Sequence, residues 1–114
     1  EAFELEPDLG EAFDNRGLIH LENRNLDEAI KQFDRAIELR PKSARAFLHR
    51  AKALYLKGYL TQALGDLNTA IGINSRSLES YEIRGQILEQ LGKRDEAESD
   101  RKTAKEISFT YAFN

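Results

Sequence analysis

The sequence predicts an all-α solenoid built from antiparallel helix hairpins, and three observations support this prediction. Residue types recur with a period of 34 residues along most of the chain. Within each period the apolar residues follow helical spacing. Proline, glycine and short polar runs separate the helical stretches. A fixed period of this length indicates a repeat architecture in which each unit packs on its neighbours.

The period is visible at six places in the repeat, where similar residues recur. The series are Phe13, Phe47 and Tyr81; Arg16, Arg50 and Arg84; Gly17, Ala51 and Gly85; Ala29, Ala63 and Ala97; Ala36, Ala70 and Ala104; and Leu39, Ile73 and Ile107. The small residues leave space for two helices to approach closely. The aromatic series, with Phe33 and Leu67, is expected to fill the holes between units. Phe47→Ala should therefore be among the most damaging single changes, at about 3 to 5 kcal/mol.

Turn signals divide the chain, taken as one domain of residues 1–114, into repeats. Residues 1–9 are expected to be the end of a preceding repeat, because residues 2–7 parallel residues 36–41. Pro7 and Pro41 each mark the end of a helix. This start, without an initiator Met, favours an excised fragment.

Each repeat is predicted to contain two helices, which we name helix A and helix B. Repeat 1 (residues 10–43) has them at about 10–23 and 26–40, and repeat 2 (residues 44–77) at 44–57 and 60–73. In repeat 3 (residues 78–111) helix A runs from about 78 to a turn at Gly92, and helix B spans about 94–107. Gly58 is expected to end a helix in the left-handed conformation. Asp27 is expected to be an N-cap or a first-turn acid.

Repeat 3 is predicted to be a C-terminal cap, because its helix B carries Glu98, Arg101 and Lys105 where the earlier repeats are apolar. Terminal units of a solenoid need such a polar outer face. The aromatic tail, residues 108–114, alternates aromatic residues with small or polar ones, which is a strand-like period. This tail either folds back on the last helix or docks on a partner or a neighbouring copy.

Composition excludes several classes of protein. With 40% hydrophobic and 32% charged residues the chain is too apolar for disorder. No run approaches the roughly 18 apolar residues of a membrane helix. The absence of Cys rules out disulfides and thiolate metal sites and fits a cytoplasmic protein. A net charge of -3 argues against a general nucleic-acid binder.

These residues together resemble the tetratricopeptide repeat family over about residues 2–107. The matching residues are Phe13, Gly17, Ala29, Phe33, Ala36 and Pro41; Phe47, Ala51, Ala63, Leu67 and Ala70; and Tyr81, Gly85, Ala97 and Ala104. Ser75, Arg101 and Phe109 depart from the pattern. The resemblance implies a right-handed α–α superhelix whose A helices line a concave groove for a peptide or helix of another protein.

Repeat positions assign residues of all three A helices to this groove. They are Glu11, Asp14, Asn15, Leu18 and Glu22; Arg45, Leu48, His49, Lys52 and Tyr55; and Glu79, Glu82, Ile83, Gln86 and Glu89. As the partner-binding site we single out Asp14, Asn15, Leu18, Arg45, Leu48, His49, Lys52, Tyr55, Ile83 and Gln86.

Charge distinguishes the middle repeat, which has one acid and five bases. Arg45, His49 and Lys52 are spaced to share one helical face. This stripe either receives an acidic group of the partner or is a solvated face balanced by acids such as Glu11 and Glu82.

The repeated Arg16, Arg50 and Arg84 could bind phosphate or could pack between helices with their heads paired to acids. Asp66 and Asp100 are the candidate partners, whereas repeat 1 has Gln32 at that place. The clamp of Lys, Asn and Arg by which some members of the family hold chaperone tails is missing. Asp14, Leu18, His49, Glu79 and Ile83 occupy its places.

The residue pattern gives little support to catalysis. The two histidines fall at different repeat positions, and His20 is expected in the core. No phosphate loop, metal-ligand cluster or nucleophile–base pair is suggested by spacing. We therefore predict a protein–protein interaction module without enzymatic activity, cofactor or metal. The alternative is a self-assembly unit that stacks copies through its N-terminal face and aromatic tail. A regulatory segment of a larger enzyme stays open as a third possibility.

Overall fold

The computed structural model describes residues 8–112, and within them the chain forms six α-helices and no strand. The helices are α1 (Leu9–Glu22), α2 (Leu26–Leu39), α3 (Ala44–Lys57), α4 (Leu60–Ile73), α5 (Leu78–Gln90) and α6 (Arg94–Ala112). The predicted all-α helical-repeat solenoid is confirmed. Residues 1–7, which the sequence suggests are the end of a preceding repeat, lie outside the described residues.

Local chemistry sets the helix ends. Asp8 Oδ1 accepts a hydrogen bond from Glu11 N at 3.0 Å, and Ser43 Oγ accepts one from Ala46 N at 3.2 Å. These bonds satisfy amide groups that have no partner inside their own helices. Asn25 occupies the N-cap of α2, but its side chain makes no capping hydrogen bond. Of the two roles predicted for Asp27, N-cap or first-turn acid, the structure shows the first-turn acid.

The turn inside each hairpin uses one left-handed residue at the same repeat position. Gly58 has φ 86° and Gly92 has φ 80°, and a glycine adopts such angles at little cost. In the first hairpin Arg24 takes this place with φ 64°. A side chain with a Cβ pays about 1 kcal/mol or more there, so Arg24 is strained where its equivalents are not.

Consecutive helices pack as the pairs α1–α2, α3–α4 and α5–α6, and the pairs stack through α2–α3 and α4–α5. Phe33, Leu67 and Ile87 are fully buried in this stack. Phe47 packs against the same core but is only half-buried. The prediction from the sequence therefore overestimated the burial of Phe47. The residues enclosed on all sides are Phe33 and Leu67 of the B helices.

The repeated arginines hold the hairpins together. Arg50 donates from Nε and Nη2 to the two carboxylate oxygens of Asp66 at 2.7 and 2.8 Å, and Arg84 makes the same fork to Asp100 at 2.8 Å. Those hydrogen bonds raise the pKa of both guanidinium groups. Of the two roles predicted for the repeated arginines, Arg50 and Arg84 therefore have the second, in which the head is paired to an acid between helices.

Residues 108–112 of the aromatic tail are helical, which corrects the strand-like prediction for them. Helix α6 continues to Ala112 without a break, and the guanidinium of Arg76 lies 5.5 Å from the centroid of the Tyr111 ring. The Tyr111 hydroxyl also donates to the carbonyl oxygen of Arg76 at 3.4 Å. Residues 113 and 114 lie outside the described part. In residues 8–112 every helix is too short or too polar to cross a lipid bilayer.

Candidate functional site

The three A helices lie next to one another and form a continuous face. Helix α3 contacts both α1 and α5. A cleft of about 490 Å³ opens on this face, and we call it the central cleft. Its lining comes from all three A helices and the first turn, and consists of Leu21, Glu22, Arg24, Lys52, Tyr55, Leu56, Glu79 and Ile83.

A buried polar contact joins α1 to α3 beside the cleft. Asp14 Oδ1 lies 2.8 Å from His49 Nδ1, and both residues are less than a tenth exposed. The His49 ring also packs against Phe33, with 5.8 Å between the ring centroids. Arg45 Nε lies 3.6 Å from the other carboxylate oxygen of Asp14. Burial and mutual pairing make Asp14 and His49 an internal link between repeats, so little of either side chain is open to a partner.

Two further contacts join α3 to α5 along the cleft. Lys52 Nζ donates to Glu79 Oε2 at 2.7 Å, and Gln90 Nε2 donates to the Tyr55 hydroxyl at 2.8 Å. Both pairs are exposed enough to be solvated. An exposed ion pair of this kind is worth about 0 to 1 kcal/mol, so it can be exchanged for a partner's group at little cost.

The cationic stripe of repeat 2 is therefore balanced by neighbouring acids. Arg45 and His49 pair with Asp14, and Lys52 pairs with Glu79. The sequence anticipated such balance but named Glu11 and Glu82 as the acids. The difference arises because Asp14 and Glu79 face α3 directly from the two flanking helices.

The structure sorts the ten predicted site residues into three groups. Asp14, Leu48 and His49 are buried. Lys52, Tyr55 and Ile83 line the central cleft together. The remaining four lie outside the cleft lining: Asn15 and Gln86 are exposed, Arg45 is more than half exposed, and Leu18 packs against the core. The three buried residues therefore offer little surface to a partner, and the predicted set of site residues stays a prediction.

Sequence reasoning missed three residues of the cleft, Leu21, Arg24 and Leu56. Leu56 could have been found, because it stands one period after Glu22, which was assigned to the groove. The sequence pattern is that of a core residue at Leu21, and its side chain, which is 8% exposed, forms the floor of the cleft. Arg24 forms no ion pair or side-chain hydrogen bond with any residue from 8 to 112. Within residues 8–112 the cleft thus combines apolar walls with Arg24, a cation that has no ion-pair partner there.

A larger cleft of about 590 Å³ lies beside Asp14, between α1 and the turn that joins α2 to α3. Its lining includes Gly10, Arg40, Pro41 and Arg45 but no residue of α5. It does not follow the face of the three A helices, so we take the central cleft as the candidate site.

Comparison with known proteins agrees with this geometry. Residues 15–77 match the tetratricopeptide repeat family, and residues 78–111 match it a second time. A comparison with curated proteins found no significant match.

Several solved structures share the fold. The first TPR of Spaghetti (RPAP3), bound to the HSP90 peptide SRMEEVD, is 22% identical over 93% of this chain and 84% of its own, with a TM-score of 0.86. MamA is 25% identical over 96% of this chain and 64% of its own, with a TM-score of 0.88. The Yersinia enterocolitica type III secretion translocator chaperone SycD is 20% identical over 92% and 80%, with a TM-score of 0.84.

The two family matches are in phase with each other. They agree with the six helices of residues 8–112 and with the cleft on the A-helix face. The chain belongs to the tetratricopeptide repeat family, a family of protein–protein interaction modules.

Proposed function

We propose that the central cleft binds a helix or an extended segment of a partner protein, and that this segment places an acidic residue next to Arg24 and Lys52. The observation that carries the proposal is the lining of the cleft. Leu56 is 44% exposed and Tyr55 and Ile83 are half-buried, so apolar surface is open to solvent there. Helix-in-groove recognition uses apolar anchors of this kind.

Arg24 supplies the electrostatic part of the proposal. It holds a left-handed backbone angle where repeats 2 and 3 have Gly58 and Gly92. Its charge has no ion-pair partner in the described part of the chain, and backbone strain that persists at such a residue in a cleft supports a functional role. Lys52 adds a second cation, whose exposed pair with Glu79 exchanges readily.

The family relationship supports binding as the activity rather than catalysis. The first TPR of Spaghetti holds a peptide that contains acidic residues. At 22% identity that structure supports the shared fold and leaves the ligand of this chain to be tested. Because Asp14 and His49 pair with each other at places of the chaperone-tail clamp, we infer a different mode of recognition here.

A peptide-display selection on the immobilised chain tests the proposal. We expect the selected peptides to combine apolar residues with Asp or Glu. Leu56→Ala should weaken their binding about tenfold, because it removes an anchor of the cleft. Arg24→Gly should weaken it about two- to fivefold, the scale of an exposed ion pair.

The control is Lys31→Gln on α2, whose side chain is 73% exposed and does not line the cleft. It should leave affinity unchanged. Selected peptides without a preference for Asp or Glu would refute the proposed acidic residue next to Arg24 and Lys52. An affinity that Leu56→Ala leaves unchanged would refute the central cleft as the binding site. Self-assembly, the alternative function, would appear as a mass that grows with concentration.

A further inference from the structure

The ion pair between Lys52 on α3 and Glu79 on α5 belongs to the lining of the central cleft and is not repeated at the other junction of A helices. One period earlier, the same two positions hold Leu18 and Arg45, and Arg45 faces Asp14 instead. A contact that the stacking of repeats required would occur at both junctions. The fold therefore does not explain why Lys52 and Glu79 are paired.

Another contact between neighbouring hairpins shows the behaviour expected of a requirement of the fold. Arg50 Nη1 donates to Asp34 Oδ1 at 2.9 Å. One period later, Arg84 Nη1 donates to Asn68 Oδ1 at the same distance. This hydrogen bond recurs with constant geometry, whereas the ion pair in the central cleft stands alone. We therefore look for the role of that ion pair in binding.

Glu79 is held opposite Lys52 by two favourable interactions. Lys52 Nζ donates to Glu79 Oε2 at 2.7 Å, with the two side chains 32% and 48% exposed. Glu79 also lies in the first turn of α5, where the positive end of the helix dipole stabilises a carboxylate. The N-cap residue Ser77 makes no side-chain capping hydrogen bond that would supply a competing oxygen there. The ammonium of Lys52 is therefore already engaged before a partner arrives.

The two ends of the central cleft consequently differ in charge. Its lining extends from the C-terminal end of α1 and the following turn, across α3, to the first turn of α5. At the α1 end, Arg24 has no ion-pair partner among residues 8–112. At the α5 end, Glu79 neutralises Lys52 and would repel an incoming carboxylate. An acid of the partner is therefore favoured near Arg24 and disfavoured near Glu79.

We propose that Glu79 determines the specificity of the central cleft by competing with the partner's carboxylates for Lys52. This inference rests on the proposed function and adds which acidic segments the cleft accepts. With Glu79 in place, the bound segment carries one acid, which lies near Arg24. A second acid directed toward α5 meets the carboxylate of Glu79 instead of a free ammonium, so segments with acids at both ends bind less tightly.

Peptide-display selections from one random library, run in parallel on the unmodified chain and on Glu79→Gln, test the inference. Gln keeps the size of the side chain and removes its charge. Peptides selected on Glu79→Gln should contain more Asp and Glu than those selected on the unmodified chain. A synthetic two-acid peptide from that selection should bind Glu79→Gln about two- to fivefold more tightly than the unmodified chain, the scale of an exposed ion pair. The difference should shrink at high salt, which screens exposed charges.

Three further variants show whether the effect passes through Lys52. Lys52→Gln combined with Glu79→Gln should remove the gain in affinity, because no ammonium is left to release. Glu22→Gln removes the other acid of the cleft lining, which pairs with no cation among residues 8–112, so its effect should be the same with and without Lys52. Glu106→Gln removes an exposed acid of α6 outside that lining and should change neither affinity nor the selected peptides. Circular dichroism establishes that each variant is folded.

Equal affinity and equal acidic content on the unmodified chain and on Glu79→Gln, with binding still weakened by Leu56→Ala, would overturn this inference and leave the proposed function standing. A gain that survives Lys52→Gln would also overturn it, because Glu79 would then act through another group. A loss of affinity in Glu79→Gln would overturn it in favour of a basic residue of the partner at Glu79. If no selected peptide depends on Leu56, the proposed function fails and this inference fails with it.

Discussion

Gly17→Ala should destabilise the protein although it puts the best helix former into a helix. A Cβ on Gly17 would lie 2.3 Å from Cε1 and 2.6 Å from Cδ1 of Phe33. Real Cβ contacts are longer than this, and the Phe33 ring is fully buried, so it has no free space to enter. The overlap should cost about 1 to 3 kcal/mol of unfolding free energy and exceed the roughly 1 kcal/mol that alanine gains in a helix.

The repeats provide the control and the rescue. At Gly85, two periods after Gly17, the nearest atoms to an added Cβ are 3.6 Å away, so Gly85→Ala should raise the unfolding free energy by about 0.5 to 1 kcal/mol. In repeat 2 the same contact pairs Ala51 with Leu67, both fully buried. Gly17→Ala combined with Phe33→Leu copies that pair and should be more stable than Gly17→Ala alone.

Urea unfolding followed by circular dichroism measures five proteins: the unmodified chain, the two glycine variants, Phe33→Leu alone and the double variant. Equal m-values show that stability rather than compactness has changed. The reasoning predicts opposite signs for the two glycines. It is refuted if Gly17→Ala is as stable as the unmodified chain, or if Phe33→Leu adds its full cost to Gly17→Ala instead of relieving it.

Two more predictions follow from the packing, and the same unfolding measurement checks them. Arg84→Met should cost about 2 kcal/mol or more of unfolding free energy, because it leaves the buried carboxylate of Asp100 without its partner. Arg16→Met should cost about 1 kcal/mol or less, because Arg16 pairs with no acid among residues 8–112. Equal costs would contradict the assigned ion pairs. Phe33→Ala should cost about 3 to 5 kcal/mol, and the half-buried Phe47 about half of that; the reverse order would contradict the observed burial.

Features fixed by local backbone chemistry could be predicted from the sequence. The glycines at 58 and 92 gave the turns, and the bounds of α3 and α4 agree with the prediction. The forks of Arg50 and Arg84 were accessible because the period places each arginine and its acid 16 residues apart on paired helices. In these cases sequence spacing determines the distance in space.

Features that depend on the distance between non-consecutive helices could not be predicted. Asp14 and His49 were assigned to an open groove by register, but α1 and α3 approach closely enough for the two side chains to bury each other. The alternation in the tail suggested a strand, yet α6 simply continues, because adding a turn to an existing helix avoids the cost of nucleation.

The repeats act as internal controls that separate the requirements of the fold from additional ones. At the turn position two glycines show that the fold favours a left-handed residue, so Arg24 there needs a further reason. At the repeat position of Ile19, the residues Ala53 and Ile87 are fully buried, whereas Ile19 itself is 57% exposed. If Arg24 served the turn alone, Arg24→Gly would raise stability and leave binding intact; a gain in stability together with a loss of affinity would instead assign the strained residue to recognition.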